Sequence, residues 1–133
     1  VICHCRMCQK AYGSFFAPFA TVALADFAWT RGGPAQFARS QILRRGFCSN
    51  CGTPLSCYTH GTKEISLSIG SFDHPERLQP TFQAGVESRM PWFGELAHQR
   101  GKPTDQLFPK ELLDSLENHQ HPDCDTDVWP PKR

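Results

Sequence analysis

The spacing of the cysteines is the feature that most constrains how this 133-residue chain can fold. Five of the seven cysteines lie in two tight clusters, and these are Cys3, Cys5, Cys8, Cys48 and Cys51. A secreted disulfide scaffold more often has an even number of cysteines spread along the chain. Clustered spacing favours a metal, and zinc is the ion that groups of cysteine thiolates commonly hold.

The composition limits the classes of partner. With 14 Lys+Arg against 13 Asp+Glu, the chain lacks the basic surplus that nucleic-acid backbones select. The longest nearly apolar stretch, residues 15–25, is interrupted by Pro18 and Thr21 and is shorter than the roughly 18 residues that a membrane span needs. No cationic and apolar signal segment precedes Cys3. We therefore expect a cytoplasmic protein that binds neither nucleic acid nor membranes.

Hydrophobic patterning predicts a mainly β fold of short strands with one minor C-terminal helix. Residues 64–69 alternate between apolar and polar side chains, as a strand with one buried face does. Weaker candidate strands are residues 15–24, 35–39, 55–58 and 81–88. The helix is predicted over residues 109–117, with an apolar stripe of Leu112, Leu113 and Leu116.

The domain organisation is predicted to be simple. We find no internal repeat and no linker that would separate two domains. Residues 1–118 are expected to form one zinc-binding domain. Residues 119–133, which turn polar and include Pro130 and Pro131, are expected to form a peripheral tail that Trp129 could anchor.

The first cluster, Cys3-His4-Cys5-Arg6-Met7-Cys8, places three thiols within six residues. Such a run can converge on one tetrahedral zinc if the chain wraps in a tight loop, and one coordination position then remains to be filled. A structural zinc fills that position with a protein ligand, whereas a catalytic zinc leaves it to water or substrate.

The second cluster, Cys48-Ser49-Asn50-Cys51-Gly52, resembles half of another zinc site, in which the glycine lets the backbone turn back toward the sulfurs. The spacing also permits a different arrangement, because Cys5, Cys8, Cys48 and Cys51 would together make one closed Cys₄ site with no chemistry. The spacing alone leaves both arrangements open.

Longer motifs around the two clusters resemble a known family. Residues 3–10 read CHCRMCQK, residues 47–55 read FCSNCGTPL, and Gly13-Ser14 and Pro91-Trp92-Phe93 accompany them. In this order they resemble the glutathione-dependent formaldehyde-activating enzymes, and the likeness covers roughly residues 1–108.

The resemblance implies a β-tent zinc-binding fold with two Zn²⁺ sites. It implies a catalytic zinc on Cys3, Cys5 and Cys8, and a structural zinc to which Cys48 and Cys51 contribute. The implied activity is that of a carbon–sulfur lyase, which condenses glutathione with formaldehyde to S-hydroxymethylglutathione and reverses the reaction. The expected partners are a small-molecule thiol such as glutathione and a small aldehyde.

Zinc on three thiolates has a formal charge of −1 and suits a soft ligand. We therefore expect an incoming thiol to bind at the open position, lose its proton and attack the formaldehyde carbon. Holding the two small reactants together would supply most of the acceleration.

The sequence departs from the family at the structural site. Family members carry an upstream strand whose G-x-C-x-C-G motif completes that site, and no such motif precedes Cys3 here. We therefore expect a missing strand ahead of Val1. Without it, the second cluster is two ligands short, and Cys57 or Cys124 would be the remaining thiols to help.

Other polar side chains near the motifs are predicted to play supporting roles. His4 is expected to face solvent or to support the ligands rather than to act as a base. Trp92 and Phe93 are expected to fill core or to line a pocket. Four cations could receive the carboxylates of a glutathione-like peptide, although exposed cations are more often plain solvated groups; they are Arg6, Lys10, Arg44 and Arg45.

Two alternatives to an enzyme remain open from the sequence. One is a non-catalytic zinc-binding interaction module with a closed Cys₄ site. The other is a nucleic-acid-binding zinc ribbon, which the balanced charge disfavours. His119, His121 and Cys124 could bind metal adventitiously, but a polar tail is the expectation there.

Overall fold

A computed structural model describes residues 1–129, and their architecture is mainly β, as predicted. Seven strands form one sheet in the order β3-β4-β5-β6-β2-β1-β7. The strands are β1 (Ile2–Cys3), β2 (Ala17–Ala23), β3 (Ala35–Ala38), β4 (Leu43–Phe47), β5 (Pro54–Thr59), β6 (Glu64–Ser68) and β7 (Gln83–Ala84). Neighbouring strands are antiparallel except β1 and β7, which are parallel.

The helices are short. The two α-helices are α1 (Arg6–Tyr12) and α2 (Lys110–Ser115). Short 3₁₀-helices are Leu24–Asp26, Ile69–Ser71, Pro75–Arg77, Val86–Ser88, Phe93–His98 and Thr104–Gln106. Within residues 1–129, no helix has the length and apolar character that a membrane crossing requires.

Most of the strand predictions agree with the structure. The alternating segment at residues 64–69 contains β6, with Ile65 and Leu67 buried, and the chain leaves the strand at Ile69 to enter a 3₁₀-helix. The predicted strands at residues 15–24 and 35–39 contain β2 and β3, and the predicted strand at residues 55–58 lies within β5. Neither β1 nor β4 was predicted.

The predicted strand at residues 81–88 is wrong beyond Ala84. Gly85 has a φ of 64°, in the left-handed region, which is incompatible with an extended strand. A 3₁₀-helix over Val86–Ser88 follows directly. As a result β7 has only two residues, and the chain turns immediately after pairing with β1.

The predicted C-terminal helix forms as α2, but its apolar stripe is not buried. Leu112 is 46% exposed and Leu116 is 67% exposed. The residues beyond α2 contact the body of the protein through polar side chains. Arg31 pairs with Asp125 at 3.2 Å. Trp129 packs on the His121 ring, with 4.9 Å between ring centroids. The domain boundary at residue 118 remains a prediction.

The core is small and contains part of the first cysteine cluster. Cys8, Ala17 and Phe19 form its buried centre. The partly buried side chains packed around that centre are Val1, Cys3, Cys5, Tyr12 and Cys57. The chemistry-bearing motif is therefore built into the hydrophobic core and does not lie on a surface loop.

The start of the chain is held in place by backbone hydrogen bonds on both sides. The His4 N–H donates to the Ala84 carbonyl at 2.8 Å, and the Phe19 N–H donates to the Val1 carbonyl at 2.7 Å. These bonds fix β1 between β2 and β7. The position of Cys3 at the end of β1 follows from this pairing.

Gly85 permits a close approach to the cysteine cluster. A Cβ atom added at Gly85 would lie 2.7 Å from the Cys5 nitrogen and 3.0 Å from the Cys5 Cβ. Real Cβ atoms do not approach a backbone this closely, and the positive φ adds further strain for any other residue. Glycine is therefore needed where β7 ends beside Cys5.

We predict that Gly85→Ala lowers the free energy of unfolding by about 1–3 kcal/mol, because it adds both backbone strain and a clash with Cys5. Urea unfolding monitored by circular dichroism measures the effect. Gly70→Ala is the matched control, since Gly70 is exposed, has no positive φ and has open space at its Cβ position. Equal stabilities for the two variants would contradict this explanation.

Candidate metal centre

Three cysteine side chains converge at one point. One sulfur each from Cys3, Cys5 and Cys8 lies within 4.8 Å of the other two, and the Cys3 and Cys5 Sγ atoms are 3.4 Å apart. Zinc–sulfur bonds of about 2.3 Å place tetrahedral sulfurs about 3.8 Å from one another. The cluster therefore has the dimensions of a three-thiolate zinc site. No other group of three or more metal donors forms among residues 1–129.

The three thiols are brought together by a strand, a turn and a helix. Cys3 ends β1, Cys5 is the residue before α1, and Cys8 lies in the first turn of α1. The Gln9 N–H donates to the Cys5 carbonyl at 3.0 Å, which closes that first turn. The prediction that the whole motif forms a tight loop is therefore wrong, because its second half is helical.

Gln9 braces the motif, a role that the sequence did not predict. This side chain is 3% exposed, and its Nε2 atom donates to the His4 carbonyl at 2.7 Å and to the Ser88 carbonyl at 2.9 Å. Its Oε1 atom accepts a hydrogen bond from Arg6. The amide thus joins the turn at His4 to the segment after β7. The sequence feature that could have indicated this role is the position of Gln9 directly after Cys8, the third cysteine of the motif.

The pKa values of the Cys3 and Cys5 thiols are shifted in opposite directions. Burial, reinforced by hydrogen bonds with the Cys8 and Cys5 thiols, raises the pKa of Cys3 to about 12. Burial alone would also raise the pKa of Cys5, but the backbone N–H groups of Cys8 and Met7 and the neighbouring thiols lower it below the usual value. In the metal-free protein, Cys3 therefore donates its proton toward a Cys5 sulfur that readily becomes a thiolate.

Arg45 supplies positive charge to the cluster. This residue on β4 is 7% exposed, and its Nη2 atom donates to the Cys8 Sγ atom at 3.1 Å. The Arg45 guanidinium carbon lies 5.8 Å from the centroid of the Phe19 ring. The expectation of a solvated surface cation is wrong at this position, since a run with two adjacent arginines does not reveal that one of them points into the core.

The charge of the buried Arg45 side chain bears on whether the thiol cluster fits a metal ion. A buried guanidinium is costly unless an anion compensates it. The Cys8 sulfur is its hydrogen-bond partner within the described chain, and the Arg45 Nε and Nη1 atoms have none. The positive charge of Arg45 would therefore offset the negative charge of a zinc ion held by deprotonated thiols. The donor set and its surroundings fit a thiolate-bound ion.

His4 is completely buried, so the expectation that it faces solvent is wrong. Its Nε2 atom lies 2.9 Å from the Gln83 Oε1 atom, and an amide oxygen can only accept a hydrogen bond. The imidazole therefore donates through Nε2–H. Its ring meets the Phe93 ring edge-on, with 4.6 Å between centroids. His4 supports the cluster from behind and has no access to solvent.

An aromatic cluster surrounds this histidine. Phe15 contacts Trp92 with 5.1 Å between ring centroids, and Phe16 contacts Phe93 with 5.9 Å. Trp92 and Phe93 were predicted to fill core or to line a pocket. Phe93 packs against the buried His4 ring, whereas Trp92 remains 46% exposed, so the prediction is wrong for Trp92. These rings form an apolar wall beside the residues that carry the thiols.

Cys48 and Cys51 lie outside the three-thiol group. Their knuckle closes with a hydrogen bond from the Gly52 N–H to the Cys48 carbonyl at 2.8 Å, and Gly52 has a φ of 77°. The alternative of one closed Cys₄ site is therefore wrong for this fold, since it requires Cys48 and Cys51 to join Cys5 and Cys8. Burial would raise the pKa of Cys48, but neighbouring N–H groups and the Cys51 and Trp129 side chains lower it.

The remaining thiols do not complete the second cluster. Cys57 packs against the core beside Cys8, where burial raises the pKa of its thiol, and Cys124 is exposed in the C-terminal segment. The expectation that either of them could assist Cys48 and Cys51 is not met in residues 1–129. His121 contacts Thr126, and no three-donor group forms in the described part of the tail.

The cations proposed to receive carboxylates are divided between different places. Arg6 bonds to Gln9, and Arg44 points away from the thiols to bond the Ser40 carbonyl at 2.8 Å. Lys10 and Arg45 share a cleft on the other face of β4.

We predict that iodoacetamide alkylates Cys5 before Cys3 in metal-free protein. The thiolate is the reactive form, so the Cys5 rate should rise at a lower pH than usual, while Cys3, with its pKa of about 12, stays protonated and slow across neutral pH. Peptide mass spectrometry at several pH values measures the order. Denatured chain is the control, in which the two rates should become similar; a faster Cys3 in the folded state would contradict the assignment.

Comparison with known proteins gives the family. No curated protein matches the chain. The family described as "Glutathione-dependent formaldehyde-activating enzyme" matches residues 1–88, which include both cysteine clusters, the Gln9 brace and Arg45. The match spans about two thirds of the 133 residues. The chain therefore belongs to the glutathione-dependent formaldehyde-activating enzyme family.

Proposed function

We propose that this protein is a zinc-dependent carbon–sulfur lyase that joins a small thiol, such as glutathione, to formaldehyde and catalyses the reverse cleavage. The observation that carries the proposal is the convergence of three cysteine sulfurs within 4.8 Å of one another. Family membership supports the same chemistry.

Cys3, Cys5 and Cys8 are the residues that would hold the ion. Zinc on three thiolates offers a remaining position that suits a soft sulfur ligand and promotes loss of that ligand's proton. Within the described residues, no further histidine, cysteine or carboxylate joins the three thiols as a donor. This supports a site that is open to an outside molecule.

The overall reaction balances without a further reactant. The thiol sulfur forms a bond to the carbonyl carbon of formaldehyde, the π electrons of the carbonyl move to its oxygen, and that oxygen takes up the proton that the thiol loses. The product is an S-hydroxymethyl thioether. Cleavage reverses each of these changes, so the same site serves both directions.

Arg45 and the apolar surroundings adapt the site to this reaction. Three thiolates and one Zn²⁺ would sum to a formal charge of −1. The positive charge of the Arg45 guanidinium, which bonds the Cys8 sulfur, would offset it. Gln9 and His4 keep the turn rigid, because each is buried and hydrogen-bonded to a different part of the chain. A fixed turn holds the thiols in position for substrate, which is where such an enzyme gains most.

We further propose that Cys48 and Cys51 contribute to a structural zinc site. Their proximity in the knuckle and the lowered pKa of Cys48 support this role.

The free state of all seven cysteines supports a reducing, cytoplasmic setting.

We predict that Cys5→Ser loses the zinc of the three-thiol site and lowers glutathione-dependent formaldehyde consumption by about 100-fold or more, since even groups that only support metal ligands account for about 10- to 100-fold. Zinc content by mass spectrometry and formaldehyde loss measure the two effects. Cys124→Ser is the matched control because its thiol is exposed.

The outcomes separate the enzyme from a zinc-binding module. Loss of zinc together with activity, with unchanged circular dichroism, supports the lyase. Retained activity in Cys5→Ser would overturn the assignment of the site. A zinc-loaded wild-type protein that consumes no formaldehyde with any thiol would overturn the proposed function.

A further inference from the structure

A cationic cleft borders the thiol cluster. It has a volume of about 280 Å³ and lies between the C-terminal half of α1 and the strands β3, β4 and β5. Its charged lining residues are all cations, namely Lys10, Arg39 and Arg45. Among the described residues, no aspartate or glutamate lines it. Three positive charges thus meet in one cleft of a chain whose formal net charge is only +1.

The geometry of Arg45 connects this cleft to the metal site. The residue lines the cleft and at the same time donates to the Cys8 Sγ atom at 3.1 Å. Its Nε and Nη1 atoms are buried and have no hydrogen-bond partner in the described chain. The Arg45 side chain therefore separates the cleft from a thiol of the candidate centre and brings its positive charge close to both.

We propose that this cleft binds the C-terminal carboxylate of a peptide thiol substrate. The inference rests on the proposed function and specifies how its substrate is selected. Cations gathered against low-dielectric walls attract anions, and arginine suits carboxylates in particular. The same field repels an ammonium group, so the cleft favours a carboxylate with no amine beside it. In glutathione, that is the glycine end rather than the γ-glutamyl end.

The shape of the cleft suits one arm of such a peptide. The rings of Phe37 and Phe47 line it and are 58% and 36% exposed, so they offer apolar contact to a peptide chain. A volume of about 280 Å³ is near the lower end for a ligand pocket, as expected if it holds part of a ligand.

The neighbouring arginine on β4 provides a matched control. Because successive residues of a strand point to opposite faces, Arg44 lines a second cleft on the other side of β4. Arg44 is the cation of that second cleft, and its Nη1 atom bonds the Ser40 carbonyl. Replacing Arg44 removes the same charge from the same strand without changing the cationic cleft.

The test titrates the zinc-loaded full chain with S-methylglutathione, a thioether that has no thiol proton, and with its glycine amide. Calorimetry measures both dissociation constants. We expect Lys10→Gln and Arg39→Gln each to weaken S-methylglutathione binding by about 2- to 5-fold, as expected for partly exposed ion pairs. Arg44→Gln should bind as the wild type does. Amidation should weaken binding to the wild type at least as much as either variant does, and its effect should be smaller in Arg39→Gln.

The amide probe tests the inference without any variant, so a variant that folds poorly does not obscure the result. Equal affinity for the acid and the amide would overturn the inference, as would equal loss in Arg44→Gln and Arg39→Gln. If the wild type consumes formaldehyde with glutathione while binding ignores the carboxylate, the cleft inference fails and the lyase stands. If binding follows the carboxylate but no thiol supports formaldehyde consumption, the cleft inference is supported and the lyase is overturned.

Discussion

The structure depends on holding three thiols together inside a small hydrophobic core. Cys8 is packed with Ala17 and Phe19 at the buried centre, and the other two thiols lie at its margin. Strand pairing on both sides of β1 fixes Cys3, and the close approach of Gly85 accommodates Cys5. Burying thiolates is unfavourable without compensating positive charge. A metal at this point would therefore join stability and chemistry in one place.

Arg45 lies between the candidate metal site and the cleft that we propose selects the substrate. Its guanidinium touches Cys8 on one side and belongs to a cationic cleft on the other. A single buried charge can thus balance an anionic metal centre and contribute to the field that attracts an anionic thiol. Arg44 makes no such contact, although it is the adjacent residue, because strand geometry turns it to the opposite face. The proposed activity and the proposed carboxylate preference therefore both involve Arg45.

The sequence predicted what is encoded by local spacing and missed what depends on distant packing. The C-x-C-x-x-C spacing identified Cys3, Cys5 and Cys8 as a possible group, and the resemblance to the family favoured that group over a closed Cys₄ site; the three thiols do meet. The spacing was insufficient to reveal α1, which is too short for periodicity to appear, or the burial of His4, which depends on β7 and Phe93. Arg45 and its neighbour are identical in type, and their different roles arise only from the pleat of β4.

A crystallographic anomalous difference map at the zinc absorption edge tests the central claim most directly, because it locates each metal and identifies the atoms around it. The account predicts a peak within bonding distance of the Cys3, Cys5 and Cys8 sulfurs, with the fourth position held by solvent or added thiol. A fourth ligand from the polypeptide itself would contradict it, since a closed ion has no position left for substrate.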